Sequence, residues 1–132
     1  MLIQKKFILA SKSRSRINIL KNNGLNFVQT PPICDEDLIK MTNKNKNPKP
    51  LSLILAKEKA KSISFLKKNI HVVGADTVIE LNNKILNKAK NKIEAKKKLI
   101  SLSGKTHKIY SSSAVYYNNK LVWKKTQTTQ VK

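Results

Sequence analysis

Val-Val-Gly-Ala-Asp-Thr-Val-Ile-Glu-Leu-Asn-Asn-Lys-Ile-Leu-Asn-Lys-Ala, residues 72–89, is the stretch from which the fold is read. Val72 and Val73 are β-branched and apolar, as a buried strand requires. Gly74 and Ala75 add almost no side chain, Asp76 follows, and Thr77-Val78-Ile79 resumes the strand pattern. A carboxylate inside an apolar strand is costly to bury unless a cation or hydrogen bonds compensate it. The small residues before Asp76 leave room for such a group to approach. Asn82-Asn83 reads as a two-residue turn and Lys84-Ile85-Leu86 as the returning strand, which would bring Lys88 back towards Asp76. Two readings of Asp76 stand side by side: a cap at a strand end, or a general base or metal ligand on a rigid strand.

Upstream, Phe7-Ile8-Leu9-Ala10 is a short unbroken apolar run that suits a buried strand. A polar loop, Ser11-Lys12-Ser13, leads into a helical pattern at Ile17, Ile19 and Leu20, with Ser13 as N-cap and Gly24 as the stop. A helix N-terminus directly after a strand is a natural anion site, and Ser hydroxyls and Arg16 lie close to this one. An ordinary cap with surface charges is the competing reading. Asn26 to Thr30 forms a second expected strand, closed by Pro31-Pro32. Asp35-Glu36-Asp37 then holds three of the seven acidic residues. Such a cluster could hold a hard cation such as magnesium, or be a solvated loop or a helix N-terminal cluster. Residues 42–50 are rich in breakers and read as a loop. Leu51 to Lys68 reads as a helix with Leu53, Ala56, Ala60, Ile63 and Leu66 as its apolar stripe and Lys59 snorkelling at the border.

Downstream, Asn91 to Ser103 reads as a third helix, with Asn91 as N-cap and Glu94 in the capping-box position. Ala95, Leu99 and Leu102 form its expected apolar side, and Gly104 closes it. His107 to Tyr117 and Lys120 to Val131 form a hairpin about Asn118-Asn119, with Trp123 expected to pack and His107 expected to be structural. The order β-α-β-α-β-β-α-β-β predicts a single α/β domain over residues 1–132 with a mixed, twisted sheet flanked by helices.

The net charge of +21 invites a nucleic-acid reading. Composition argues against it as the primary function. Only Arg14 and Arg16 of the 28 basic residues are Arg, whereas bidentate phosphate and base contacts favour guanidinium. Aromatics make up 5% of the chain, too few for a stacking platform. Attraction of small polyanions is the reading the charge does support. No apolar run approaches the roughly 20 residues of a membrane helix. Met1 to Lys6 lacks the apolar core of a signal peptide. A lone Cys34 rules out an internal disulfide and fits a reducing, cytoplasmic setting. The sequence holds no Cys/His metal spacing, P-loop or Gly-rich dinucleotide motif.

Six short motifs in order resemble the Maf family of nucleoside triphosphate pyrophosphatases. They are Leu9-Ala10-Ser11-x-Ser13-x-x-Arg16, Asp35-Glu36, Leu55-Ala56-x-x-Lys59-Ala60, Gly74-Ala75-Asp76-Thr77, Ile85-Leu86-x-Lys88 and Leu102-Ser103-Gly104-x-x-His107. The resemblance spans Phe7 to Val131. It implies a two-lobed fold related to inosine triphosphate pyrophosphatases, with a nucleotide cleft. The implied reaction cleaves between the α and β phosphates, giving a nucleoside monophosphate and pyrophosphate. Asp76 falls on the family's proton acceptor, Ser11, Ser13 and Arg16 on its phosphate-binding loop, and Lys59 and Lys88 on its phosphate-contacting lysines. Glu36 falls on an acidic position associated with the metal, and Asp76 would share that ion, Mg2+ or Mn2+.

Arg14-Ser15 stands where the family usually has Pro-Arg, so Ser15 occupies a position tied to base preference. Thr77 matches the subfamily acting on dTTP and UTP, rather than the one with Gln there that acts on a methylated guanine nucleotide. Asn87 and Ala89 replace the usual Gly and Pro. The family continues beyond Val131, so the chain is expected to lack a C-terminal third. The expected partner is a nucleoside triphosphate, with no membrane and no specific nucleic acid, and with room for a homodimer. Rival readings are a remnant that binds nucleotide without turnover and a basic nucleic-acid-binding module.

Overall fold

The computed structural model describes residues 5–43, 46–81, 84–86 and 91–131. Lys88 and the Asn82-Asn83 turn, both singled out above, lie outside the described residues. The elements run β1 (Phe7–Ala10), α1 (Arg14–Asn22), β2 (Phe27–Thr30), α2 (Glu36–Thr42), α3 (Pro48–Ser64), β3 (His71–Leu81), β4 (Lys84–Leu86), α4 (Lys92–Leu102), β5 (His107–Tyr117) and β6 (Lys120–Val131). They form an α/β fold around one mixed sheet of order β2-β1-β3-β5-β6, with β4 paired to β3 off that path.

β3 is the spine of the sheet. Its start pairs in parallel with β1, Ile8 to Val72 and Leu9 to Val73. Its far end pairs antiparallel with β4, Ile79 to Leu86 through Leu81 to Lys84. On the opposite edge β5 runs antiparallel along nearly its whole length. Among the described residues, no strand pairs with the β1/β4 edge of β3 between Gly74 and Val78. The sheet therefore splits beside Asp76, at the carboxyl ends of β1 and β2, which is where open α/β sheets receive ligands.

Alternation along β3 and β5 decides what each face does. Val72, Gly74, Asp76 and Val78, with Tyr110, Ser112, Ala114 and Tyr116, are buried on the face covered by α3. The core there joins Ile8, Ala10, Ala56, Ala60, Ile63, Val72, Ala114 and Tyr116. Leu51, Leu55 and Val78 extend it, with Ile39 of α2 against them. The other face carries α1, which buries no residue completely.

Several sequence expectations shift. α2 is an additional helix, begun by Asp35, whose carboxylate accepts from the Leu38 amide at 3.0 Å. α3 starts at Pro48, inside the expected loop, because Pro is tolerated in the first turn of a helix. Its buried stripe is Leu51, Ser52, Leu55, Ala56, Lys59, Ala60, Ile63 and Ser64. Leu53 is only half-buried and Leu66 is exposed, so the expected stripe was out of phase at both ends. Lys59 sits at the centre of the buried stripe, not at its border. α4 has the expected Asn91 cap to Glu94 but buries no residue, and Leu99 is exposed. Trp123 is half-exposed on β6, so it does not serve the core.

Candidate functional site

Asp76 reaches α3 because the residues between them are small. A side chain at Gly74 would meet the Ala56 carbonyl and come within 2.7 Å of the Ala60 amide nitrogen. Gly74, Ala56 and Ala60 thus let the helix backbone lie directly on β3. One turn along from Ala56, Lys59 then points at the strand, and its Nζ donates to Asp76 Oδ1 at 2.9 Å. The room left by Gly74-Ala75 is filled by the helix that delivers this cation.

Glu36 completes the arrangement from α2. Its Oε1 lies 2.8 Å from the same Lys59 Nζ. Three charged side chains from three elements therefore meet, with Lys59 between two carboxylates. Lys59 and Asp76 are each 5% exposed. Burial pushes the Lys59 ammonium towards losing its proton, but Asp76 and Glu36 together outweigh burial and raise its pKa above the usual lysine value.

A cavity of about 630 Å³ opens beside this group. One wall is Ser11, Lys12, Ser13 and Arg16, from the β1–α1 loop. The opposing wall is Cys34, Asp35, Glu36 and Asp37, and Lys59 closes the inner end. The loop is shaped by its own hydroxyls. Ser11 Oγ accepts from the Ser13 amide at 3.1 Å, and Ser13 Oγ accepts from the Arg16 amide at 3.4 Å as the α1 N-cap. Ser15 Oγ is 3.2 Å from Ser13 Oγ. Cys34 is half-buried, and desolvation followed by the Glu36 charge raises its thiol pKa.

Asp76 does not line the cavity; Lys59 stands between them. Thr77, the next residue, faces the other side of the sheet, where its Oγ1 accepts from Arg16 Nη2 at 2.9 Å. Arg16 thus ties the cavity wall to a residue 61 positions away, a link with no sequence signal. Ser111 Oγ is 3.4 Å from the same Thr77 hydroxyl. Sequence reasoning did not single out Lys12 and Cys34 as cavity residues, because neither carries a local pattern of its own. His107 does not line the cavity; its Nδ1 lies 3.5 Å from the Lys105 carbonyl.

The donor set can be tested against a divalent ion. Among the described residues, no three His, Cys, Asp or Glu side chains converge as a cage. Two carboxylates do converge on one cation position, held there by an ammonium. That fits a magnesium-type ion, which uses one or two carboxylates and completes its shell with water and substrate phosphate.

Comparison with known proteins bears on the family and the fold. A family model described as "Maf-like protein" matches residues 6–132. A 7-methyl-GTP pyrophosphatase of Bartonella henselae is 40% identical over 116 residues, covering 88% of this chain and 59% of that protein. A nucleoside triphosphate pyrophosphatase of Bradyrhizobium diazoefficiens is 36% identical, covering 88% and 57%. A dTTP/UTP pyrophosphatase of Clostridium acetobutylicum is 37% identical, covering 96% and 67%. The chain thus spans less than two thirds of the length of the first two. Among solved structures, a HAM1 protein from Coxiella burnetii shares the fold, with a TM-score of 0.51 at 12% identity over 96% of this chain and 72% of that one.

Proposed function

Because the chain belongs to the Maf-like protein family, whose model spans residues 6–132, we propose that it hydrolyses nucleoside triphosphates to nucleoside monophosphate and pyrophosphate. The observation behind this reading is the two-sided cavity. Hydroxyls and cations on one wall suit phosphate oxygens, and carboxylates on the other suit a cation carried with them.

In this reading Ser11, Ser13 and Arg16 hold the phosphate chain through hydroxyl, backbone and guanidinium donors. Lys59 and Lys88 add positive charge, and Asp76 orients a water and takes its proton. The water oxygen bonds to the α-phosphorus, and the α–β bridging oxygen departs with pyrophosphate. Neutralising the phosphate charge before attack is the main task of such a site. Glu36 and Asp76 would hold Mg2+ or Mn2+, which supplies Lewis-acid stabilisation of the phosphoryl oxygens when bound. Ser15 and Thr77 are the positions we assign to base preference. Candidate substrates are dTTP, UTP and modified nucleotides. No helix among the described residues is long and apolar enough to cross a membrane. We place the reaction in the cytoplasm, consistent with a single free thiol. A second copy of the chain is the partner we assign to the edge of β6 that no strand among the described residues pairs with.

Nucleotide binding without turnover is the second reading, favoured by the burial of Asp76 behind Lys59. One experiment separates the two. Nucleotide binding and pyrophosphate release are both measured over canonical triphosphates and 7-methyl-GTP, with Mg2+ or Mn2+, for wild type and Asp76→Asn. Turnover that falls about 10²–10⁴-fold in the variant supports the enzyme. Binding without release supports the second reading, and release unchanged by Asp76→Asn removes Asp76 from the mechanism.

A further inference from the structure

Lys59 has no donor to spare. An ammonium carries three protons. Two are committed to Glu36 Oε1 at 2.8 Å and Asp76 Oδ1 at 2.9 Å, and the third is aimed at the Ala75 carbonyl at 3.5 Å. In this arrangement the residue neutralises the protein's own carboxylates and cannot also serve a phosphate. It also separates Asp76 from the cavity. Both facts conflict with the roles these residues take in the proposed reaction, unless Lys59 moves.

The pair cannot be left uncompensated without cost: the Asp76 side chain is 6% exposed and the Glu36 side chain 30%, and a buried carboxylate beside a second one with no counter-ion is strongly unfavourable. What replaces the ammonium must therefore be another cation. Lys59 in turn must find another anion. Its four-carbon stem borders the cavity, whose far wall carries the hydroxyl and arginine donors suited to phosphate. The two exchanges complete each other: a divalent ion takes the carboxylates as Lys59 takes a phosphate.

We propose that Lys59 is a tethered place-holder for a divalent cation. Its ammonium competes with the ion for Glu36 and Asp76, and its release towards bound triphosphate uncovers Asp76. This rests on the proposed function only in taking the anion to be a nucleotide phosphate. Metal and triphosphate then bind with positive coupling, because each makes the Lys59 exchange less costly for the other. Couplings of this kind are typically about 5–150-fold.

The test needs no turnover. Mn2+ binding to the 132-residue chain is followed by the spin-resonance signal of free Mn2+. The chains compared are wild type, Lys59→Met, Lys59→Gln and Lys12→Met. Lys12→Met removes a charge from the same cavity without touching the carboxylates, so it isolates general electrostatics. Each is measured alone and with a nonhydrolysable α,β-imido triphosphate. Without nucleotide, both Lys59 variants should bind Mn2+ at least about tenfold tighter than wild type, while Lys12→Met changes by less than about threefold. After correction for Mn2+ held by free analogue, the analogue should tighten Mn2+ binding by a larger factor in wild type than in the Lys59 variants, which have no Lys59 exchange to make. If the Lys59 variants lose their fold, Mn2+ should restore their far-ultraviolet dichroism by replacing the missing cation. Lys59 variants that bind no tighter than Lys12→Met, or that are unfolded and not restored by Mn2+, overturn the proposal. Absence of pyrophosphate release would defeat the enzymatic reading and leave this result standing.

Discussion

Gly74 lies against Ala60 so closely that the α3 backbone occupies the space a side chain at Gly74 would need, 2.7 Å from the Ala60 amide. This contact sets the distance between α3 and β3, and with it the reach of Lys59 to Asp76. Gly74→Ala must push helix and strand apart, and the obstacle is main chain, which cannot swing aside. Overpacking of this kind costs about 1–3 kcal/mol, occasionally more. We expect a loss at the top of that range in urea unfolding. A variant within experimental error of wild type would mean that α3 has more freedom over the sheet than this contact allows.

A chain of hydroxyls fixes the other end of α3. Ser52 Oγ donates to the Lys49 carbonyl at 2.8 Å, so its 2.6 Å bond to Ser112 must be donated by Ser112. Ser112 then accepts the 2.7 Å bond from Thr126. The direction is forced, since each hydroxyl has one proton. Ser112→Ala leaves Thr126 without its acceptor and should cost about 1–2 kcal/mol. Ser52→Ala and the double variant complete a cycle whose non-additivity checks the shared bond. Strictly additive losses would show that the chain does not act as a unit.

These contacts explain what could and could not be read in the sequence. Strands β1, β3 and β5, the Ser13 and Asn91 caps, and the β5–β6 turn were legible because each is specified locally. Asn118 and Asn119 adopt φ of 48° and 63°, as a tight hairpin turn demands. The phase of α3 was misread because Ser52, Lys59 and Ser64 are polar yet buried, so the apolar periodicity understates its inner face. Glu36, Lys59 and Asp76 come from three elements, and only the close approach permitted by Gly74 brings them together. The Arg16–Thr77 bond crosses from a helix to a strand and has no local cause at all.

That bond makes a prediction about ligand recognition. Arg16→Ala removes a guanidinium from the cavity wall, where its proposed partner is phosphate. Hydrogen bonds to charged groups contribute about 1.5–3 kcal/mol, so triphosphate affinity should fall by about ten- to a hundredfold. Binding of the matching nucleoside should change much less. Thr77→Val removes the acceptor of Arg16 Nη2 but no charge, and should alter discrimination among bases more than affinity for the phosphates. Calorimetric titration with a nonhydrolysable triphosphate and with the nucleoside decides this. Equal losses for both ligands in Arg16→Ala would refute the phosphate role.

Alkaline stability should report on the core beneath α3. Desolvation, with the Glu58 charge as a lesser cause, raises the Tyr116 pKa above its ordinary value of 10.0. The folded state therefore holds the phenol proton more tightly than the unfolded chain does. Its contribution is complete below pH 10.0 and is lost as pH rises through the folded value. Tyr116→Phe should flatten the fall in stability above that pH. A variant with the same alkaline dependence as wild type, by urea unfolding at a series of pH values, would assign the effect elsewhere.

The last prediction concerns β6. Its twelve residues are exposed almost throughout, and among the described residues no strand pairs with its outer edge. Leu121, Val122 and Trp123 sit together at its start, 38%, 53% and 50% exposed. Lys124 and Lys125 follow, and edge lysines discourage strand pairing. Lys124 and Lys125 protect the middle of the strand, whereas Leu121, Val122 and Trp123 form an unbroken apolar segment between Lys120 and Lys124. Association should therefore nucleate at Val122 and Trp123, rise with protein concentration, and weaken in Val122→Lys, which carries the lysine guard one turn of the pleat further. Trp123, the single tryptophan, reports the event. Its emission should be that of a hydrated indole in dilute protein and move to shorter wavelength as sedimentation shows larger species. A chain that stays monomeric at every concentration, with unchanged emission, would show that the β6 edge is guarded along its whole length.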